Sequence, residues 1–488
     1  MPAEFAPSAA EIRRFLPEII LVLGGTLSMV LSVFWRNGAE GRFSPLSLAF
    51  LVTALGASAA ACQDPGSAFR DMVLVDGFST YFRVLVIAVA ALTVLSSGQY
   101  LRRERAESGE YYALLLFCTA GQCIMVSSSE LIMIFIGLEI SSIASYILAG
   151  YLRDDKRANE ASLKYFLLGS FATAFLLYGI AWTYGLTGST FLEDIRASLG
   201  EQAAGISPIL LALAAALLFV GLAFKVSSWP FQSWAPDVYQ GAPAPVAGFL
   251  SAGPKAAAFA VLVRIFMTAF EPMSGRWEPL VWLTALLTMI IGNFAALLQS
   301  NIKRLLAYSS IAHAGYVLVA VAAASETGVA AVMFYLAAYA LMNIGAFAVV
   351  IHVSRKGEER VQVQDFSGLA VRQPVTAALF SIFLLSLVGV PLTAGFFGKF
   401  YVFKAALDSN LIWLTVLGLL NSAVAAYYYL RVIVVMYMRE PGEGTADLPP
   451  LGGALKLALY VSATGTIVLG VFPSLVLNLA AKSAGLVR

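Results

Sequence analysis

The chain has few cysteines and few histidines. The cysteines are Cys62, Cys118 and Cys123, without a Cys-x-x-Cys pair, and the histidines are His313 and His352. These counts argue against iron–sulfur and zinc sites, whose ligands are cysteine and histidine at close spacing. A haem held by both histidines is the one redox site that the counts allow, and the position of His352 at a helix end beside polar residues disfavours it. We expect no cofactor and no metal on this chain.

Charged residues are scarce as well. They make up 12% of the 488 residues, against about 25% in soluble domains. Hydrophobic residues make up 59%, and the mean hydropathy is +0.81. Composition therefore predicts an all-α protein that crosses a membrane many times, with no separate water-soluble domain. The net charge of +2 comes from loops of both signs, so nucleic acid is not an expected partner.

About fourteen apolar stretches are long enough to cross the bilayer. The first is too long for a cleaved signal peptide and is expected to be a retained span. Lysine and arginine are about twice as frequent in the odd-numbered loops as in the even loops and tails, so both termini are predicted on the non-cytoplasmic side. The stretches begin near residues 16, 44, 78, 111, 130, 160, 207, 244, 277, 304, 328, 374, 411 and 453.

Two of these stretches contain helix-breaking residues. The seventh reads FKVSSWPFQSWAPDVYQGAPAP from Phe224, and the twelfth reads SLVGVPLTAGFFGKF from Ser386. Neither run of prolines and glycines fits one continuous helix. Irregular backbone at membrane depth must have its polar groups satisfied by protein or water, so both breaks are predicted to line an internal hydrated cavity.

Four charges lie inside otherwise apolar spans: Glu139, Lys225, Lys255 and Lys399. A charge at the bilayer centre costs about 2.5 to 3.5 kcal/mol even on the lenient insertion scale, and such residues commonly mark ion or proton pathways. Buried structural ion pairs are the alternative for the first three. For Lys399 the alternative is a side chain that snorkels to the interface.

The two broken spans suggest an internal repeat. Lys225 and Lys399 are 174 residues apart, and so are Glu139 and His313. Interrupted helices at matching positions indicate inverted repeats with a site between them. We expect one membrane domain over residues 1–488 in which residues 110–270, spans four to eight, correspond to residues 277–440, spans nine to thirteen.

Several longer motifs carry a resemblance to a known family. They are FIGLEISSIASYIL at Phe135, EASLKYF at Glu160, PFQSWAPDVYQGAPAPV at Pro230, NIKRLLAYSSIAHAGY at Asn301, GVPLTAGFFGKFYVF at Gly389 and YYYLRV at Tyr427. With these motifs the whole chain resembles the antiporter-like membrane subunits of the proton-translocating NADH:quinone oxidoreductase, respiratory complex I, and among them the subunit N family. Related subunits often have PFHxW where this chain has Gln232, which weakens any proton-carrying role for that position.

The resemblance implies fourteen helices in the cell inner membrane, with the seventh and twelfth broken. It implies a proton path through Glu139, Lys225, Lys255 and Lys399, driven by electron transfer from NADH to a quinone in other subunits. FMN and iron–sulfur clusters are then expected in partner subunits, NADH and quinone are bound by the whole assembly, and other membrane subunits, antiporter-like ones included, are neighbours in the bilayer. A subunit of a multi-subunit cation/proton antiporter is the alternative, and a non-conducting scaffold is disfavoured by the buried charges.

The expected mechanism depends on a movable Glu139–Lys225 pair. Desolvation favours the neutral form of a lysine and a nearby carboxylate favours the charged form, so opening the pair would release a proton toward Lys255 and then Lys399. Lys225 is expected at the negative C-terminal end of a half-helix and Lys399 near a positive N-terminal end. His313 is either a relay or a satisfied core histidine. Lys164, near a span entrance, is a further candidate for the path.

Overall fold

The computed structural model describes residues 7–35, 41–201, 207–358 and 360–485. Helices account for nearly all of its regular structure, as the composition predicts, and one short β-hairpin is added. The N-terminal part contains α1 (Ala9–Arg14), α2 (Leu16–Phe34), α3 (Phe43–Ala61), β1 (Gly66–Ala68), β2 (Val73–Val75), α4 (Gly77–Glu104), α5 (Gly109–Val126), α6 (Leu131–Ala149), α7 (Lys156–Thr187) and α8 (Leu192–Glu201).

The central and C-terminal parts continue in the same way. Their elements are α9 (Pro208–Val226), α10 (Trp234–Gly241), α11 (Ala244–Arg264), α12 (Ser274–Leu297), α13 (Ile302–Ala322), α14 (Glu326–Val353), α15 (Leu369–Arg372), α16 (Pro374–Val388), α17 (Ala394–Asp408), α18 (Ile412–Met438), α19 (Glu443–Ala446), α20 (Gly453–Val471) and α21 (Ser474–Ala484). A π-helical turn, Ile265–Ala269, extends α11.

Thirteen helices in the described ranges are long and apolar enough to cross a membrane. They are α2 to α7, α9, α11 to α14, α18 and α20. The remaining predicted span, the twelfth, is made of the two short helices α16 and α17. The polytopic all-α fold predicted from the sequence is therefore confirmed.

Three helices form the centre of the bundle. Nearly all residues of α11 and α13 are buried, and α14 is almost as enclosed, whereas α2, α3, α7 and α18 expose most of their apolar side chains. Burial of apolar residues all round a helix is typical of a helix surrounded by other helices. The exposed apolar faces of the outer helices are suited to lipid or to neighbouring membrane subunits.

Polar side chains cap the N-termini of several spans. Asn301 accepts a hydrogen bond from the backbone N–H of Arg304 at the start of α13 (3.1 Å), and Ser325 accepts one from Gly328 at the start of α14 (3.1 Å). Asp76 accepts one from Ser79 at the start of α4 (2.6 Å). Each cap satisfies a backbone donor that the first turn of a helix leaves without an intrahelical partner.

Both predicted helix breaks are present. The first separates α9 from α10, and the side chain of Trp234 bridges it by donating to the carbonyl of Phe224 (2.9 Å). At the second, Gly389 has a φ of +94° and the N–H of Gly395 donates to the hydroxyl of Ser386 (3.0 Å). Protein groups thus satisfy backbone donors and acceptors that the interrupted helices leave open, as membrane depth requires.

Buried ion pairs fasten α4 to its neighbours. Arg83 and Glu18 of α2 are 2.8 Å apart, and both side chains are wholly enclosed. Arg264, at the end of α11, binds both carboxylate oxygens of Asp76 at 3.0 Å. Asp76 lies just outside the α4 span, where burial raises its pKa while the charge and hydrogen bonds of Arg264 and the hydrogen bonds of Ser79 lower it, with a net shift below its usual value of 3.8.

We predict that Asp76→Asn destabilises the protein in detergent by about 3 kcal/mol at neutral pH, because it leaves Arg264 buried without its counter-charge. Asparagine keeps the helix cap. Since the folded-state pKa of Asp76 is lowered, its contribution is complete above 3.8 and is lost as the pH falls through the folded value. Thermal unfolding of the two proteins across pH checks this. Asp71→Asn, at an exposed carboxylate, is the matched control, and equal stability of Asp76→Asn and the unmutated protein at neutral pH would contradict the prediction.

We also predict that Gly395→Ala disrupts the second break. A Cβ at this position would lie 1.8 Å from the carbonyl oxygen of Ser386, a backbone atom that cannot move aside cheaply. Overpacking of this kind costs about 1–3 kcal/mol or more. Thermal unfolding and the amount of protein in the membrane should both fall. Gly56→Ala, where a Cβ meets nothing within 4 Å, should leave both near the unmutated level, and an equally harmless Gly395→Ala would show that the break tolerates a side chain.

Candidate functional site

The three lysines predicted from the sequence are all buried at or near the helix breaks and the central helices. Lys225 is the second-last residue of α9, immediately before the first break. Lys255 lies in the middle of α11, and Lys399 lies in the second turn of α17, just after the second break. The broken helices and the enclosed α11 thus bring three ammonium groups into the interior of one bundle.

Lys225 is surrounded mainly by aromatic rings. Its Nζ is 3.5 Å from the hydroxyl of Tyr146. It also lies 5.1 Å from the ring centroid of Tyr146 and 5.5 Å from that of Tyr165. A cation–π arrangement of this kind stabilises a charged lysine only modestly. The ammonium of Lys225 therefore depends on weak partners for its charge.

Glu139 is separated from Lys225 in this conformation. It lies two turns before Tyr146 on α6, on a half-buried side of the helix that also carries the exposed Ile136 and Ile143. Among the described residues it forms no ion pair, and its Oε1 is buried without a hydrogen-bond partner. The expected Glu139–Lys225 ion pair is therefore not formed among the described residues.

Lys255 is held by α13. Its Nζ donates to the carbonyl oxygen of Ser310 (3.1 Å) and to the hydroxyl of the same residue. Ser310 lies one turn before His313 on α13. The lysine of α11 is therefore placed beside the helix that carries the predicted histidine.

His313 lies at the centre of a group of tyrosines. Its Nδ1 is 2.7 Å from the hydroxyl of Tyr335, and its Nε2 is 3.2 Å from the hydroxyl of Tyr429. The ring of Tyr339 packs 5.1 Å away, centroid to centroid. A neutral imidazole donates at one nitrogen and accepts at the other, so both ring nitrogens of His313 are used.

A run of polar side chains leads from this histidine toward Lys399. The ring of Tyr429 packs against that of Tyr428 at a centroid distance of 4.4 Å. The hydroxyl of Tyr428 donates to Oδ1 of Asn293 (3.1 Å), and Nδ2 of Asn293 donates to the hydroxyl of Tyr316 (3.3 Å). The ring centroid of Tyr316 is 4.7 Å from Nζ of Lys399. Side chains from four spans thus connect the histidine to the third lysine.

The ammonium of Lys399 contacts the end of the preceding helix and a serine of α18. Its ammonium donates to the hydroxyl of Ser422 (2.7 Å) and to the carbonyl oxygen of Val388 (2.8 Å), the last residue of α16. Carbonyls at a helix C-terminus carry partial negative charge and favour a cation. Lys399 thus lies near the N-terminal end of α17 as expected, and its side chain reaches back across the break to the C-terminal end of α16.

Lys164 belongs to a different set of charges. Its Nζ is 2.8 Å from Glu160 and 2.9 Å from Asp237, and Asp237 also binds Arg304 at 2.7 Å. The side chain of Lys164 is 43% exposed, in contrast to the three enclosed lysines. The structure places it in an ion-pair network near the ends of α7, α10 and α13, so a role in the path stays a prediction.

Sequence reasoning missed most of the uncharged polar residues that join these charges. The signal was polar side chains inside apolar spans: Asn293, Ser310, Tyr316, Ser422 and Tyr428. It is weak, because serine and tyrosine are also common in ordinary helix packing. The second histidine stands apart from the first, since Nε2 of His352 is paired with the side chain of Gln373 (2.7 Å).

Comparisons with known proteins identify the family of this chain. Residues 128–425 match the family model described as NADH:quinone oxidoreductase/Mrp antiporter, TM. The chain is 64% identical over 484 residues to NADH-quinone oxidoreductase subunit N 1 of Solibacter usitatus, an alignment that covers 99% of both proteins.

Solved structures agree with this placement. A chain of respiratory complex I from Thermus thermophilus with bound aureothin is 36% identical, with a TM-score of 0.80 over 95% of this chain and 99% of that one. A chain of the Mrp complex from Dietzia superposes with a TM-score of 0.85 over 98% and 97% of the two chains, at 22% identity, which shows a shared fold alone. The chain belongs to the NADH:quinone oxidoreductase/Mrp antiporter membrane-subunit family and, within it, to the family of NADH-quinone oxidoreductase subunit N.

Proposed function

We propose that this chain is the proton-translocating subunit N of a NADH:quinone oxidoreductase and that protons cross it through Glu139, Lys225, Lys255 and Lys399. The observation that carries the proposal is the set of three buried lysines whose ammonium groups have no carboxylate partner within the described residues. A purely structural buried lysine is normally paired with an acid, because an unpaired charge is costly. Lysines that lack such a partner are suited to gaining and losing a proton.

The contacts suggest how protons move between the sites. Among the described residues, the hydrogen-bond and cation–π contacts of Lys225 are with Tyr146 and Tyr165, and a carboxylate such as Glu139 would favour its charged form on approach. Approach of Glu139 would hold the proton on Lys225, and separation would favour its release. The described residues offer no continuous run of side-chain hydrogen bonds from Lys225 to Lys255, so this step requires water or a movement of the lysine stems.

The second half of the path has fixed polar groups. Ser310 accepts from Lys255, His313 lies one turn further along α13, and Tyr429 connects that histidine to the tyrosine and asparagine side chains near Lys399. Hydroxyl and imidazole groups can each accept one proton while giving up another. We assign His313 to the path as a relay and keep Lys164 as a candidate near its entrance.

The redox groups of the reaction are proposed to lie elsewhere in the assembly. We propose that FMN and iron–sulfur clusters lie in partner subunits, and that NADH and quinone bind to the holoenzyme in the cell inner membrane. The exposed Ile136 and Ile143, on the same side of α6 as the unpaired Glu139, support a neighbouring antiporter-like subunit at this face. We further propose that residues 110–270 and 277–440 are the two repeats of the single membrane domain and that both termini lie on the non-cytoplasmic side.

We predict that Lys225→Met slows NADH-driven proton translocation through this subunit by about 10²-fold or more, since a positioned proton carrier contributes at least that factor. The measurement is acidification of vesicles that contain the assembled complex, with NADH oxidation recorded in parallel. Lys456→Met removes an exposed lysine from another membrane helix and is the matched control. Normal assembly with unchanged pumping in Lys225→Met would refute the path.

We predict a smaller effect for Tyr316→Phe. The change removes the hydroxyl that accepts from Asn293 and keeps the ring that packs beside Lys399. Loss of one buried hydrogen bond, worth roughly 1 kcal/mol, should slow proton translocation about fivefold. Tyr460→Phe, at a half-exposed ring, is the control. Equal rates in both variants would remove the tyrosine–asparagine run from the path.

A direct flux measurement distinguishes the proposed function from the antiporter alternative. Under our proposal, vesicles that contain the complex show NADH-dependent proton movement and no sodium or potassium flux in the absence of NADH. Cation flux without NADH that depends on Lys225 would instead support the antiporter assignment.

A further inference from the structure

A cavity lies between α17 and α18 beside the second break. Its volume is about 560 Å³, and its walls are formed chiefly by apolar side chains, among them Phe396, Phe400, Phe403 and Leu419. The buried Lys399 is also among its lining residues. The size falls within the range of small-molecule sites, about 300–1,000 Å³.

Several residues that line the cavity are exposed on the outside of the bundle. Phe400, Leu407 and Leu419 line it and are each about half exposed, and Trp413 and Leu420 beside it are also exposed. An opening framed by apolar side chains on a transmembrane helix faces hydrocarbon or a neighbouring membrane chain.

Two unpaired charges of opposite sign stand at this opening. Lys404 and Asp408 line the cavity on consecutive turns of α17, and both are exposed. Within the described residues neither forms an ion pair or a hydrogen bond with the other or with a third side chain. Lys399, by contrast, has two hydrogen-bond acceptors inside the protein.

The two charges lie at the C-terminal end of α17, and the ends of membrane-spanning helices lie near the lipid headgroups. Asp408 is the last residue of α17, and Lys404 lies four residues before it, which is roughly 6 Å along the helix axis. Side chains one helical turn apart have Cβ atoms about 5–6 Å apart, so one molecule that carries both a positive and a negative group can reach both.

We propose that this cavity binds a zwitterionic aminophospholipid such as phosphatidylethanolamine. Its phosphate binds Lys404, its ammonium group binds Asp408, and one acyl chain fills the space between Phe400 and Leu419 toward the stem of Lys399. Asp408 repels a headgroup that carries only negative charge, which selects against an anionic lipid. Two turns of a partner helix occupy roughly 850 Å³, more than the cavity holds, so a helix could cover the opening but not fill the cavity.

A bound acyl chain would have a consequence for the lysine behind it. It would separate the ammonium of Lys399 from the bilayer and leave Val388, Ser422 and the ring of Tyr316 as its surroundings. Lipid binding at this site requires neither NADH oxidation nor proton movement and is therefore independent of the proposed function.

The test uses the assembled complex in nanodiscs that contain phosphatidylethanolamine with a photoreactive group at the end of one acyl chain. After illumination, mass spectrometry locates the labelled residues. We expect labels on the cavity-lining residues of α17 and α18. Leu419→Trp, which fills the cavity, should lower this labelling about tenfold, whereas Leu420→Trp, outside the cavity, should leave it unchanged.

A second variant and a second lipid test the headgroup assignment. Lys404→Gln with Asp408→Asn should lower labelling about tenfold, the effect of losing charge-assisted hydrogen bonds, and phosphatidylglycerol with the same photoreactive chain should label no better than that variant. Equal labelling by the two lipids would overturn the zwitterionic assignment. Absence of label on α17 and α18, unchanged labelling in Leu419→Trp, or cross-links from these helices to a neighbouring subunit would overturn the lipid site. Proton translocation plays no part in this readout, so failure of the lipid site leaves the proton path untouched.

Discussion

Charges and free backbone groups inside hydrocarbon must find partners within the protein, and the arrangement of this chain follows from that constraint. Lys255 and Lys399 are satisfied by backbone carbonyls and serine hydroxyls, and the open backbone at the two breaks is satisfied by side chains such as Trp234 and Ser386. The outer helices cover α11 and α13, whose residues are nearly all buried. The polar groups of the interior therefore obtain their partners from the packing of the surrounding helices.

The same constraint distinguishes the paired charges from the lysines of the proposed proton path. Arg83 with Glu18, and Arg264 with Asp76, are paired acids and bases that join helices. The central lysines have neutral oxygen or aromatic partners instead. A paired charge is held in one state, whereas a charge held by hydroxyls and carbonyls can change its protonation at lower cost. This contrast within one bundle is the physical basis for assigning proton movement to the lysines.

Much of this arrangement was predictable from the sequence, for definite reasons. Apolar length located the spans, proline and glycine located both breaks, and isolated charges located Glu139 and the three lysines. Side-chain direction was not predictable. The reach of Lys399 back to Val388, the open Glu139, and the Asn293–Tyr316 link depend on helix rotation and crossing, which hydrophobic patterns do not define. The hairpin at Gly66–Ala68 and Val73–Val75 was missed because its strands are only three residues long.

The most direct test of the central claim is the ratio of protons translocated to electrons transferred in proteoliposomes that contain the complex with Lys255→Met. Lys255 lies between the two halves of the path and has no acidic partner in the described chain. The account predicts a ratio reduced by the whole contribution of this subunit, or electron transfer that slows together with pumping. An unchanged ratio at an unchanged rate of electron transfer, in a fully assembled complex, would contradict it.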